Sequence, residues 1–198
     1  MTTEWIPKTK LGRAVKEGKF KSIDEVLALG KPILEHQIVD YLLPGLKTEI
    51  IEVRTTQRVT DSGRKMSYRV VVVVGDEAGH IGYGMGKSSE FATAREKAIN
   101  RAKRNLIKVI GGCGSWECKC DIKHSLPHKV DAKVSATSVE LIPAPRGVGL
   151  VANDNVKAIL RLAGVKDIWS KVRGSVKNRY SLVQAVFEAL KKIEGEVA

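Results

Sequence analysis

"MSYRVVVVVGDEAGHIGYGMGKSS", residues 66–89, holds five consecutive valines, a short turn, and a run in which glycine takes every second place. An unbroken β-branched run favours a strand, and the centre of this one is too apolar for an exposed edge. "EAG" (77–79) turns the chain, and "HIGYGMG" (80–86) reads as a short third strand. From about Ser89 to Ile110, Phe91, Ala94, Ala98, Ala102, Leu106 and Val109 recur at helical spacing and predict one long helix. Upstream, "EIIEVRTTQRVT" (49–60) alternates in part like a strand, and "DSGRK" (61–65) supplies a turn through Asp61 and Gly63. The resulting order is strand, strand, strand, helix.

A strand that runs into Gly86-Lys87-Ser88 invites a nucleotide phosphate loop, but the spacing rejects it. The first glycine of G-x-x-x-x-G-K-[ST] would fall at position 81, which is isoleucine, and the trio Gly82, Gly84, Gly86 does not fit G-x-G-x-x-G. Two readings stay open. Alternate glycines suit a strand crowded against another backbone. They also let RNA sugar-phosphate approach, with Lys87 and the free N–H groups of the following helix start as phosphate contacts. Lys97, Arg101, Arg104 and Lys108 stand at i, i+4, i+7 and i+11, a narrow cationic stripe on the predicted helix. Between 87 and 108 only Glu90 and Glu96 are acidic, so the stripe has few partners on its own helix and is suited to phosphate.

The whole chain points the same way. Its 198 residues carry a formal net charge of +12 and only 5% aromatic residues. Such charge is costly for a compact fold unless a polyanion neutralises it, and nucleic acid is the commonest one. A membrane surface would call for a cationic helix with a broad aromatic or Leu face, and no apolar run approaches the roughly 18 residues of a membrane span. The first twenty residues lack a signal-peptide pattern, so a cytoplasmic protein is expected. No G-x-S-x-G turn occurs, His36, His80, His124 and His128 stand in unrelated contexts, and no carboxylate pair can be assigned to one cleft. A binding protein without catalysis or cofactor follows.

Four segments are expected. Residues 1–47 form an extension with two short helices, one capped by Ser22 with Glu25 three residues on and one at about 35–43, while the first twenty residues show no periodicity. Residues 48–110 are the unit above. Residues 111–128 are a glycine- and cysteine-containing linker. Residues 129–198 form a second α/β unit, with strands at 129–134 and 137–142, a helix at 154–163 ending at Gly164, a strand in "VKDIWSKV" and a helix at 181–193. The fold class is α+β, with two small α/β-layer domains.

The linker holds all three cysteines. Cys113, Cys118, Cys120 and His124 are spaced x4, x1, x3. Structural zinc sites prefer a Cys-x2–4-Cys knuckle at each end, and Cys118-Lys-Cys120 is tighter, so the spacing favours free thiols over a metal site that His124 or His128 would have to close. Trp116 is expected to pack as an apolar lid, or to stack on a base.

"TDSGRKMSYRVVVVVGDEAGHIGYGMGKSSEFATAREKAINRAKRNL" resembles the first domain of the universal small-subunit ribosomal protein S-five family, and "VELIPAPRGVGLVANDNVKAILRLAGVKDIW" its second. "EWIPKTKLGRAVKEGKFKSIDEVLALG" and "GCGSWEC" resemble the archaeal branch, whose eukaryotic relative is S-two-e. The resemblance implies a first domain similar to a double-stranded-RNA-binding fold and a βαβ-type second domain. It implies a structural protein of the small ribosomal subunit that binds rRNA near the neck, where mRNA enters, and supports assembly and reading accuracy. Its implied partners are small-subunit rRNA, mRNA at the entrance channel, and proteins S-three, S-four and S-eight. Carried onto this chain, Gln57, Arg58, Ser62, Gly63, Arg64 and Lys65 are implied rRNA contacts in the hairpin loop, joined by Gly82, Gly84, Gly86 and Lys87 at the glycine-rich strand end and by Arg146 in "PAPRG". The bacterial turn usually has two adjacent glycines where Ser62-Gly63 stands. Ala132 and Ser135 occupy apparent glycine positions in "DAKVSAT", so a turn needing positive φ would be strained there.

Overall fold

The computed structural model describes residues 5–118, 120 and 122–197. Three short helices, α1 (Lys10–Lys16), α2 (Ile23–Ala28) and α3 (Gln37–Leu42), precede the first sheet. That sheet has strands β1 (Lys47–Thr60), β2 (Gly63–Gly75), β3 (His80–Ser88) and β4 (Leu106–Lys108), in this spatial order and antiparallel throughout, with α4 (Phe91–Arg104) between β3 and β4. The second sheet has β5 (Val130–Val134), β6 (Thr137–Pro143), β8 (Ile168–Gly174) and β7 (Leu150–Val151), in the order β5-β6-β8-β7. Helices α5 (Asp154–Leu162) and α6 (Arg179–Val197) complete it.

The five valines explain the layering. All are fully buried, and successive side chains point to opposite faces. Val70, Val72 and Val74 meet Ala94, Ala98 and Ala102 of α4 and Val15, Val26 and Ile38 of the extension. Val71 and Val73 face the other way, into a cluster with Leu160 of α5 and Leu182, Val186 and Leu190 of α6. That cluster continues to Val139, Leu141 and Ile168 of the second sheet. The order of layers is extension with α4, first sheet, α5 with α6, second sheet, and one apolar core joins the two sheets.

The alternating glycines are the seat of α4. A side chain at Gly82, Gly84 or Gly86 would collide with the backbone carbonyls of Ala102, Ala98 and Ala94 respectively. Small residues on both elements bring helix and strand into backbone contact. The reading of Gly82, Gly84 and Gly86 as backbone opened to RNA is therefore corrected: all three are buried beneath α4. No phosphate loop exists here either, because β3 stays extended through Lys87 and Ser88.

The expected helix to Ile110 is also corrected, since α4 stops at Arg104. Leu106–Lys108 pairs instead with His80–Gly82. Leu106 enters the cluster under α4 while Ile107 enters the opposite one, a division that strand alternation permits and one helical face does not. The open backbone edge of β3 outcompetes a further helical turn, a case of tertiary context overriding local propensity.

The first twenty residues contain more structure than their sequence suggests. The Thr9 side chain accepts a hydrogen bond from the Gly12 N–H and caps α1, which buries Val15 completely. Asp24 of α2 then reaches His80 Nε2 (3.1 Å) and Lys108 Nζ (2.9 Å), fastening the extension to the β3–β4 edge. In the β5–β6 turn Ser135 does adopt a positive φ of 54°, whereas Ala132 is a buried strand residue that needs none.

Candidate nucleic-acid interface

β1 and β2 pair from Lys47↔Gly75 to Thr60↔Gly63, but the core ends well before the turn. From Thr55 to Thr60 and back to Ser67 nearly every residue is exposed or half-buried on both faces. At about 3.3 Å per residue the hairpin extends roughly 20 Å as an arm. Val59 lies on it with 79% of its surface open. Residues 54–69 carry Arg54, Arg58, Arg64, Lys65 and Arg69 against one acidic residue, Asp61. Arg54 is committed to buried Glu52 at 2.6 Å, with Arg69 at 3.6 Å from the same carboxylate. Arg58 stands opposite Lys65, and Arg64 opposite Val59 next to the turn.

Two clefts adjoin at the root of this arm. One, of about 240 Å³, is lined by Gln57, Arg58, Lys65, Met66, Lys87 and Ser88 among others. The other, of about 550 Å³, lies between the extension and α4 and is lined by Trp5, Lys8, His36, Gly86, Lys87, Lys97, Arg101 and Arg104 among others. Lys87 belongs to both. Among the described residues no strand lies beside the outer edge of β3 beyond Gly82, and side chains from α4 lie along it: Arg101 donates to the Met85 carbonyl (2.9 Å) and Lys97 to Ser88 Oγ (3.5 Å). The Glu35 carboxylate fixes the far wall, accepting from Trp5 Nε1 (2.9 Å) and from the Lys8 and Thr9 N–H groups. Burial opposes ionisation of Glu35, yet these donors outweigh it and lower its pKa.

The fold thus gathers Gln57, Arg58, Lys65, Lys87, Lys97, Arg101 and Arg104 around one surface, with Ser62, Gly63 and Arg64 at the arm tip. Lys108 is separated from them. It lies on β4, not on the helical stripe, and its ammonium is paired with Asp24. Arg146 lies in the loop after β6, outside both clefts. Sequence reading missed a third basic region. Lys129, Lys133, Lys171 and Arg173 line an open hollow of about 360 Å³ on the second sheet together with Asp131 and Glu140. The alternating polar positions of "VDAKV", "TSVELIP" and "IWSKVRG" carry that signal. No helix among the described residues is long and apolar enough to cross a membrane.

The cysteines occupy a separate corner. Cys118 Sγ lies 3.0 Å from Cys120 Sγ and 3.7 Å from His124 Nε2, and Cys120 Sγ lies 3.4 Å from Cys113 Sγ. The hydrogen bond shared with Cys120 draws the Cys118 thiol down to about 6 and pushes that of Cys120 up to about 11. The tight Cys118-x-Cys120 spacing does not keep these groups apart, because the chain doubles back through the Gly112↔Ser125 bridge. Trp116 is not a lid, since 88% of its surface is open.

Basic arm, basic clefts and two stacked α/β layers define a small basic protein whose surface suits a polyanion, and comparison with known proteins specifies the family. Residues 46–110 match the family model described as "Ribosomal protein S5, N-terminal domain", and residues 132–196 that described as "Ribosomal protein S5, C-terminal domain". The chain is 55% identical over 192 residues to the small ribosomal subunit protein uS5 of Thermofilum pendens, covering 97% of this chain and 95% of the relative. It is 50% identical to the proteins of that name from Nanoarchaeum equitans and Methanocaldococcus jannaschii, in each case over 96% of this chain and 88% of the relative. The chain belongs to the ribosomal protein S5 family.

Proposed function

We propose that the protein is a non-catalytic structural constituent of the small ribosomal subunit, working in the cytoplasm, that binds rRNA near the neck where mRNA enters. Its partners in this reading are small-subunit rRNA, mRNA at the entrance channel and the neighbouring proteins S-three, S-four and S-eight, and its roles are assembly and translational accuracy. The observation that carries it is the arm: a hairpin whose projecting part, residues 55–67, sets Arg58, Arg64 and Lys65 against Asp61 alone and meets the α4 cleft at Lys87. A duplex has condensed counterions along each helix, and cations spread over an arm and a cleft release them from two helices at once. Double-stranded RNA is recognised mainly by shape, so a rigid angle between the arm and the cleft selects a junction over a straight duplex. Lys108, Gly82 and Gly84 stay outside this contact set, while Gly86, under α4, lines the cleft beside Lys87. Arg146 and the exposed Trp116 add a separate contact region, the latter by stacking.

The test is competition binding of the full chain to folded small-subunit rRNA against a random duplex of equal length, over a salt series. Strong preference for the folded RNA with a steep salt slope supports the proposal. Equal affinity for both reduces the protein to a generic double-stranded-RNA binder.

A further inference from the structure

We infer that Cys113, Cys118, Cys120 and His124 bind a zinc ion in a closed structural site that fixes the loop presenting Arg146. Their three Sγ atoms and one ring nitrogen all lie within 4.8 Å of one another. A tetrahedral zinc with Zn–S bonds of about 2.3 Å sets ligand atoms about 3.7 Å apart, close to the 3.4 and 3.7 Å edges and somewhat longer than the 3.0 Å edge of this cluster. Three sulfurs and one imidazole are a donor set that favours zinc among the common divalent ions.

The surroundings are built for a ligand. His124 and Asp167 are both buried, and His124 Nδ1 donates to Asp167 Oδ2 at 2.8 Å. That bond places the proton on Nδ1 and leaves the Nε2 lone pair facing the sulfurs, the arrangement by which a carboxylate orients a metal-binding histidine. The other carboxylate oxygen, Oδ1, accepts from the Gly147 and Gly149 N–H groups at 3.0 and 2.8 Å. A rigid path therefore runs from the thiols through His124 and Asp167 to the loop that bears Arg146. The backbone on the cysteine side is equally fixed. Gly112 and Ser125 exchange backbone hydrogen bonds, Gly114 N–H donates to the Leu126 carbonyl, and a Cβ at Gly114 would strike the Pro127 carbonyl.

A disulfide accounts for this less well. Whether it joined Cys120 to Cys118 or to Cys113, it would leave one of three thiols over and give the Nε2 of His124 nothing to coordinate. Zinc uses all four groups. Each coordinating thiol gives up its proton to solvent on binding, so uptake releases protons and weakens in acid.

The experiment is metal analysis of the purified full chain under reducing conditions, followed by chelation and titration with Co²⁺. One zinc per chain is expected, with a thiolate-to-cobalt charge-transfer band on titration that Zn²⁺ abolishes. Asp167→Asn should retain the cobalt spectrum while weakening the metal about 10- to 100-fold. Cys118→Ser should lose stoichiometric zinc. Wild-type protein with no stoichiometric zinc and no charge-transfer band overturns the inference, independently of whether any variant folds. A Cys118→Ser protein that keeps full zinc overturns it as well.

Discussion

β1 and β2 are paired along their whole length, yet their two halves have opposite fates. From Val70 to Val74 the inner strand of the hairpin, β2, is covered on both faces, by α4 with the extension on one side and by α5 with α6 on the other, while β1 beside it buries Ile51 and leaves Ile50 and Val53 partly open. From Thr55 to Ser67 it is covered on neither. The backbone ladder runs through both halves, broken only by a bulge at Ile51 in the inner one, so the side chains make the difference. "VVVVV" gains from burial on either face at about 25 cal/mol per Å² of apolar area, while "TTQRVTDSGRKMS" offers too little apolar area to hold a covering layer. The inner half supplies stability and the outer half, on the proposed reading, supplies contact.

The sharpest break in this comparison should come from glycine. Gly84→Val drives a side chain into the Ala98 carbonyl and lifts α4 from β3, which should cost about 3–5 kcal/mol in urea unfolding. Gly63→Ala at the arm tip has open space and only its φ of 121° to oppose it, for about 1 kcal/mol. Next come the valines. Val72→Ala, in the covered half, should cost about 2–3 kcal/mol, whereas Val59→Ala on the arm should change stability by less than about 0.5 kcal/mol by the same measurement.

A smaller effect is expected in acid. Asp76, in the β2–β3 turn, is partly buried, which opposes ionisation, but hydrogen bonds from the His80 ring and from the His80 and Ala78 N–H groups prevail and lower its pKa. A carboxylate with a lower pKa folded than unfolded contributes stability that is fully present above the ordinary carboxylate range and is lost as pH falls through the folded value. Asp76→Asn should flatten the acid limb of a stability-versus-pH curve below about pH 4 and leave the neutral plateau without that contribution.

The two halves also differ in how readily their sequences disclose them. Both strands, the turn between them and the buried valine run are legible, because β-branching and turn chemistry are local. The alternating glycines admit two readings, since a strand packed under a helix and a strand open to phosphate need the same missing side chains. Only the position of α4, carrying Ala94, Ala98 and Ala102, decides between them. The end of α4 is hidden for a related reason: Leu106 and Val109 continue a helical period, but Ile107 belongs to the opposite core, and the vacant edge of β3 is a distant partner. The same holds for the cysteines, whose spacing argues against a knuckle while the Gly112–Ser125 bridge brings them together. Of the candidate contact residues, those on the arm and α4 converge through Lys87, a junction that depends on the sheet edge and not on any motif.

The most direct test of this division of labour is a triple change on the arm, Arg58→Ser, Arg64→Ser and Lys65→Ser, examined for both thermal unfolding and salt-dependent binding to folded small-subunit rRNA. The arm account predicts an unchanged melting temperature, a large loss of affinity, and a plot of log K against log salt flatter by about 0.7–0.9 for each phosphate contact removed. Full affinity and an unaltered salt slope in a folded variant would contradict it, and would move the RNA contact to the α4 cleft and the second sheet.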